Sequence, residues 1–417
     1  MAADAAPRRV AVVGAGMVGL STAWFLQEHG ADVTVFDRRD VAAGASWGNA
    51  GLADARPRDP AARTGRPLLR RARGAQPVVA RLRPAEREPE PAQVPRRVRP
   101  QQHRRAVAAR DGVARADQRP GAAELRRAGR GRRRRRDPRR GVLLRRLPDG
   151  RGAARPAGGD RAHPRGRQEL EYEVLDGDEA RRLEPALSEE VGAAILLRGQ
   201  RFINPGVFVH ALADSVRDRG GKIRTGAAVT DIAHQKGSVS VRTTGSDFEK
   251  FDTVVLASGV WLGDLARRFG VRSLVQAGRG YSFSVPMARV PDGPVYFPAQ
   301  RVACTPLGDR LRVAGMMEFR RPEAPLDPRR IRAIVDAARP LLRGADLDAR
   351  QDEWVGSRPC TRDGLPLIGA TRSPRVFAAG GHGMWGITLG PATGNLLAEM
   401  IATGRRPREL DPFDPLR

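Results

Sequence analysis

Gly14-Ala15-Gly16-Met17-Val18-Gly19 has the residue types and spacing to hold a dinucleotide. Gly14 permits a tight turn, Gly16 lets a pyrophosphate approach the backbone, and Gly19 lets the next helix pack close to the preceding strand. Met17 and Val18 fall where free backbone N–H groups and the positive end of a helix dipole meet phosphate oxygens. Asp37, about 20 residues on, is placed to accept hydrogen bonds from a ribose hydroxyl, with Arg38 beside it. The loop 44–51 is built of small residues and can wrap an extended cofactor, with Ser46, Asn49, Ala50 and Gly51 as contacts; a plain linker is the alternative. The glycine fingerprint by itself does not choose between FAD and NAD.

Gly356-Ser357-Arg358-Pro359 carries the candidate directed at substrate. An arginine offers a planar fork that grips a carboxylate through two parallel hydrogen bonds. A surface arginine in an arginine-rich chain is the alternative. Gly380-Gly381-His382-Gly383, with Gly386 and Thr388 close behind, is a second glycine cluster ahead of a helix expected over 391–401. The two cysteines, Cys304 and Cys360, have no metal-ligand spacing and suggest neither a disulfide framework nor a metal site. They suit a reducing, cytoplasmic setting.

These residues need elements to position them. Residues 9–13 are dominated by β-branched side chains, as a buried parallel strand should be. A helix follows over 20–29, closed by Gly30, and a second strand over 31–36 ends at Asp37. A strand, glycine turn and helix, with an acid on the next strand, is the context that makes the fingerprint meaningful. Asn204-Pro205-Gly206 starts a helix through about residue 219. Residues 222–232 and 238–243 read as strands. Residues 253–259 read as a buried strand running into a small-residue turn, where Ala257 and Gly259 bring backbone near the cofactor again; a generic strand-to-helix turn is the alternative. Short apolar runs over 274–319 read as a sheet, 328–342 as a helix, and from Trp354 the chain returns to the first domain.

Taken together the motifs resemble the glycine/D-amino-acid oxidase family of FAD-dependent oxidoreductases, and D-amino-acid dehydrogenases in particular. The matching residues are Gly14-x-Gly16-x-x-Gly19, Ser46-x-x-Asn49-Ala50-Gly51, Gly356-Ser357-Arg358-Pro359-x-Thr361-x-Asp363-Gly364 and Gly381-His382-Gly383. They span 43 residues at the start and most of 168–405. The resemblance implies an α/β fold, with a Rossmann-like FAD-binding domain (8–51, 168–265 and 352–405) and an α+β substrate domain on an antiparallel sheet (266–351). It implies that backbone near Val229 meets the adenine and that Arg358 binds an amino-acid carboxylate. It also places Gly381, Gly383, Gly386 and Thr388 beside the flavin ring, where N–H groups and a helix N-terminus stabilise negative charge. His382 is then a structural residue or flavin contact in preference to a general base. Tyr281, in Arg279-Gly280-Tyr281-Ser282, lines the substrate pocket by resemblance, or is a buried sheet tyrosine. The spacing of Cys360 from Thr361 and Asp363 differs from a covalent flavin attachment, so FAD is expected to be noncovalent. The implied reaction is oxidative deamination of D-amino acids to 2-oxo acids and ammonia, with sarcosine- or glycine-oxidase-like chemistry as the alternative. Whether oxygen or a quinone takes the electrons is left open.

Residues 52–167 contradict all of this. They hold 35 Arg and no Lys, Phe, Tyr, Trp, Ile, Met, Cys, Ser or Asn. With 11 acids they carry +24 of the chain's +27, leaving +3 on the other 301 residues. The charge therefore does not belong to the motif-bearing part, and a nucleic-acid partner is not expected. One reading is a disordered arm, since such a composition cannot bury enough apolar surface to fold. A second is an anion-binding insertion centred on the run 132–136, limited to phosphate contact because no aromatics interleave. The preferred third is a stretch of GC-rich codons read in the wrong frame between two compensating shifts. The resemblance supports it, because the family has a segment of comparable size here. Finally, the apolar run 10–26 is too short and too glycine-broken for a membrane span or a signal segment. No integral membrane segment is expected, and peripheral contact with an inner membrane stays open.

Overall fold

The computed structural model describes residues 8–53, 140–144, 172–235 and 237–417. Two large sheets dominate them. The first has six strands in the order Leu367–Ala370, Val376–Gly380, Thr253–Leu256, Arg9–Val13, Asp32–Phe36 and Lys222–Arg224. Its central strands are parallel, and only the edge pair Leu367–Ala370 with Val376–Gly380 is antiparallel. Val10, Ala11 and Val12 are fully buried, as a strand covered on both faces requires. A three-stranded antiparallel sheet, Val229–Gln235, Ser238–Thr243 and Glu249–Phe251, covers part of one face.

The helices Met17–Glu28, Pro205–Asp218 and Gly386–Thr403 pack on the other face. Gly390 and Gly394 let the last of these cross the first at close range. A Cβ on Gly394 would stand 2.6 Å from the backbone carbon of Ser21 and 2.7 Å from the Thr22 nitrogen. The helix Pro205–Asp218 is capped by the Asn204 side chain, which accepts from the Val207 N–H.

The second sheet has eight strands. Their order is Gln351–Thr361, Val275–Pro286, Arg310–Phe319, Val302–Leu307, Val295–Phe297, Arg140–Leu144, Ala193–Arg198 and Tyr172–Asp176. All pairs are antiparallel except Val295–Phe297 with Arg140–Leu144. One face packs Tyr281, Phe283, Val285, Leu311 and Val313 against Ile331, Ile334 and Val335 of the helix Pro328–Ala338. The opposite face carries Gly278, Gly280 and Ser282, and Ser282 meets the loop 46–51 of the other sheet's unit.

Three boundaries differ from the sequence expectation. The strand Gln351–Thr361 is an edge of the second sheet, so the chain returns to the first only at Leu367. Tyr172–Asp176 and Ala193–Arg198 also belong to the second sheet rather than to a 168–265 flavin-domain stretch. Long-range pairing decides both points, and local pattern does not report it. The last helix begins at Gly386, five residues before Pro391. Pro391 therefore lies inside the helix, where it removes one backbone bond, whereas the sequence reading took it for the start.

The readings of 52–167 fall outside the described residues, apart from two pieces. Leu52–Ala53 pairs with Arg201–Phe202, and Arg140–Leu144 pairs as stated above.

Candidate cofactor and substrate site

The strand Arg9–Val13 runs into Gly14, which has φ +118° and whose N–H donates to the Phe36 carbonyl at 2.7 Å. A Cβ there would lie 2.4 Å from the Ala257 carbonyl oxygen, and one at Gly19 would lie 1.9 Å from that of Gly14. Both positions exclude any side chain, and both obstacles are backbone. Gly16 is less constrained, its nearest contact being the Ser46 hydroxyl at 3.2 Å. Ser46 accepts the Met17 N–H at 3.1 Å, so it occupies one donor of the helix N-terminus expected to face phosphate. The Asp37 carboxylate accepts from the Ala15 and Arg39 N–H groups at 2.8 and 2.9 Å. Each of its oxygens keeps a lone pair for a ribose hydroxyl.

These residues open onto one cavity of about 340 Å³. Its lining joins Gly14, Gly16, Met17, Val18, Asp37 and Arg38 to Ser46 and Asn49, then to Val229, Ala257 and Gly259, and reaches Arg358, His382, Gly383 and Gly386. Fifteen of the residues singled out in the sequence thus meet in one place. Backbone N–H groups, a helix N-terminus, an acid at the ribose position and a glycine cradle that a Cβ would fill all suit a dinucleotide. The continuation past the nucleotide fingerprint to Arg358 suits FAD, whose redox ring extends beyond the pyrophosphate.

Arg358 reaches the cavity from the edge strand Gln351–Thr361. It lies opposite Gly278 in register, and its guanidinium rests over Gly280. A Cβ on Gly280 would be 2.1 Å from Nη2 of Arg358. Nη1 donates to the Met316 carbonyl at 3.1 Å, and no carboxylate among the described residues pairs with Arg358. Burial lowers its pKa, yet a guanidinium remains charged at any working pH. The rest of its motif is a turn: the Thr361 hydroxyl donates to the Leu365 carbonyl, and Asp363 accepts from the Leu365 N–H and pairs with Arg417.

His382 is 2 % exposed and shares a 2.9 Å hydrogen bond between Nε2 and the Thr393 hydroxyl. Burial pulls its pKa down to about 4. Its Nδ1 has no partner among the described residues. The Gly383 N–H donates to the Pro359 carbonyl at 2.8 Å, which ties the glycine cluster to the Arg358 strand.

Other expected residues support the cavity from behind. Gly19 is covered as described, and Gly381 (φ +76°) packs on Thr361. The Ala50 carbonyl accepts from Thr305, Gly51 (φ +71°) faces the Ile203 carbonyl, and the Thr388 hydroxyl donates to the Leu52 carbonyl. Of the two readings of Tyr281, the structure shows the buried sheet tyrosine rather than the pocket residue. It is fully buried, its hydroxyl donates to Glu318, and it does not line the cavity. Side chains alternate along a strand, so with Gly280 on the face toward the Arg358 guanidinium Tyr281 must face the core. Burial first, and the Glu318 bond second, push its pKa up to about 12.

Several residues escaped the sequence reading. Glu318 is a buried carboxylate held by Tyr281, Arg279 and Arg330. Trp261 lies under the Arg38 guanidinium at 3.4 Å. Gly280 is the floor under Arg358, and in the sequence it stood out only as part of Arg279-Gly280-Tyr281-Ser282, with no link to Arg358. No metal-binding cluster of His, Cys, Asp or Glu occurs among the described residues, and no described helix is long and apolar enough to cross a membrane.

The comparisons agree with this geometry. Residues 9–400 match the family described as FAD dependent oxidoreductase. The chain is 33 % identical over 251 residues to a D-amino acid dehydrogenase of Sinorhizobium medicae, covering 59 % of this chain and 60 % of that protein. A D-amino acid dehydrogenase of Methylobacterium sp. is 34 % identical over 247 residues, covering 57 % and 58 %. The match therefore spans about three-fifths of the length of these relatives. Among solved structures, glycine oxidase from Geobacillus kaustophilus superposes with a TM-score of 0.68 at 22 % identity, covering 98 % of this chain and 99 % of that one. Iminodiacetate oxidase from Chelativorans sp. gives 0.65 at 19 %, covering 98 % and 99 %. These likenesses speak for the fold, and the family match over 9–400 settles membership: the chain belongs to the FAD-dependent oxidoreductases of the D-amino-acid oxidase type.

Proposed function

We propose that this chain oxidatively deaminates D-amino acids, with FAD held noncovalently in the cavity and Arg358 as the carboxylate-binding residue. The observation that carries the reading is a charged guanidinium at the cavity wall with one backbone partner and no carboxylate among the described residues. Such a group is costly to bury unless an anion meets it. The names of the curated relatives support the D-amino-acid assignment. We assign the six-stranded sheet and its helices to flavin binding and the eight-stranded sheet to substrate binding.

In this scheme Arg358 grips the α-carboxylate through two parallel hydrogen bonds, with Gly280 leaving room for the fork to lie flat. That contact fixes the α-carbon and so the direction of its hydrogen. Bound FAD supplies the acceptor for the hydride. The N-terminus of the helix that begins at Gly386 stabilises the negative charge that develops in the cavity, while Gly383 ties this wall to the Arg358 strand. His382, buried and neutral, shapes this wall through Thr393 and carries no proton to the reaction. The imino acid released into water hydrolyses to a 2-oxo acid and ammonia.

Arg358→Ala is expected to lower kcat/KM for D-amino acids by about 100-fold, on the order of 3 kcal/mol for a desolvated charge-assisted pair. Flavin content measured by absorbance should not change. Unaltered turnover in the variant would sink the reading. Glycine or sarcosine outrunning every D-amino acid in the same assay would move the activity to the amine-oxidase alternative.

A further inference from the structure

Residues 320–325 connect the strand Arg310–Phe319 to the helix Pro328–Ala338 and are held from three sides. From below, the fully buried Arg279 donates to the carbonyls of Ala324 and Pro325 at 2.6 and 3.0 Å. From the side, the Ser357 hydroxyl, next to Arg358, donates to the Pro322 carbonyl at 3.2 Å. From the first sheet's unit, the Trp261 indole N–H donates to the Glu323 carboxylate at 2.7 Å. The indole face carries the Arg38 guanidinium at 3.4 Å, and Arg38 reaches Glu323 at 3.8 Å. Arg38, Trp261 and Ser357 all line the cavity.

The first two attachments stay within the second sheet's unit, since Arg279 and Ser357 lie on its strands. The third is different: Arg38 and Trp261 follow strands of the first sheet, so Glu323 joins the two units at the cavity's edge. From this geometry we infer that residues 320–325 are a cofactor-retaining strap, latched by Glu323 onto Trp261 and Arg38, which must unlatch before the dinucleotide leaves. The inference rests on the reading of the cavity as the FAD site.

The latch's weight sits on one bond. Glu323 is more than half exposed and Arg38 about one-third, so their ion pair is weak and screened by salt. The indole N–H bond to a carboxylate is charge-assisted. It is the first cause of the lowered Glu323 pKa, ahead of the two arginines. Trp261 also keeps Arg38 stacked against the wall that continues from Asp37.

The test is a double-mutant cycle on the full chain loaded with FAD, following release of flavin fluorescence after dilution. Glu323→Ala and Trp261→Phe should each speed FAD dissociation about fivefold, as loss of an exposed charge-assisted bond implies. The double variant should be no faster than either, because one bond is lost in all three. Unchanged release in both single variants, or effects that multiply, would overturn the strap. A second reading needs no flavin: brief trypsin digestion with mass spectrometry, scoring cleavage after Arg320. Both substitutions should accelerate that cut, and added FAD should slow it in the unsubstituted protein. A chain that holds no FAD would count against the cofactor reading alone, since an Arg320 cut indifferent to both substitutions overturns the strap in any case.

Discussion

A buried arginine over a glycine is the smallest unit of the proposed chemistry. Arg358 was legible in the sequence because its motif is contiguous, but the part played by Gly280, quoted only as Tyr281's neighbour, was not. Its importance comes from a register that places it under the guanidinium from a different strand. Gly280→Ala inserts a methyl group where Nη2 now lies, at a φ that any residue adopts, so the flexible arginine gives way rather than the backbone. The expected result is a KM for D-amino acids raised on the order of tenfold with little change in melting temperature. A KM equal to that of the parent would show that the fork does not need this floor. Tyr281 teaches the reverse lesson: the resemblance suggested a pocket, the alternative was a buried sheet tyrosine, and strand alternation puts it in the core.

His382 makes a pH prediction at the same scale. Its pKa falls from an ordinary 6.5 to about 4 because burial disfavours the cation. The folded protein therefore binds fewer protons than the unfolded chain between those values. Its contribution to stability is complete above about pH 6.5 and is lost as pH falls toward 4. From pH 7 to pH 5 this group alone should cost about 2 kcal/mol. Denaturant titrations of the parent and of His382→Gln should differ in their pH slope over that window. Parallel slopes would mean that His382 is not buried as a neutral ring.

At the scale of elements, the two helices that flank the nucleotide end approach through Gly390 and Gly394. Neither glycine was singled out in the sequence. Alanine at 394 gains about 1 kcal/mol in helix propensity. Against that, its methyl group would lie 2.6–2.9 Å from the backbone of Ser21 and Thr22, which cannot swing aside. Overpacking of this kind costs about 1–3 kcal/mol, so the clash should win. Gly394→Ala should lower the melting temperature and weaken FAD binding together, because the displaced helix carries Met17 and Val18. A variant at least as stable as the parent would contradict the close crossing. In the first sheet the strands at 9–13, 31–36 and 253–256 were readable because they are short and apolar, and 222–224 was read as part of a longer strand, but Leu367–Ala370 and Val376–Gly380 were not read. The second sheet was read only in part. The edge strand Gln351–Thr361 finds its partner, Val275–Pro286, far away in the chain, and Tyr172–Asp176 and Ala193–Arg198 pair with each other but join the sheet only through Arg140–Leu144.

For the whole molecule, the contrast between 52–167 and the rest is the dominant fact. The other 301 residues carry the cavity and every motif on a balance of only +3. Resequencing codons 45–175 and translating all three frames should yield an aromatic-bearing, periodic segment that joins Gly51 to Gln168. A confirmed frame, with no such segment in the alternatives, would make the arginine-rich stretch a real part of this protein and turn attention to the anions it binds.

The central claim, a flavin cavity whose substrate is gripped by Arg358, is tested most directly by anaerobic mixing. Protein from a gene of verified frame is loaded with FAD and given D- or L-amino acids while flavin absorbance is followed. The account predicts bleaching by D-amino acids in the parent, none by L-enantiomers, and at least a 100-fold slower approach in Arg358→Ala. Bound flavin that no D-amino acid reduces, or that the Arg358 variant reduces equally fast, would contradict it.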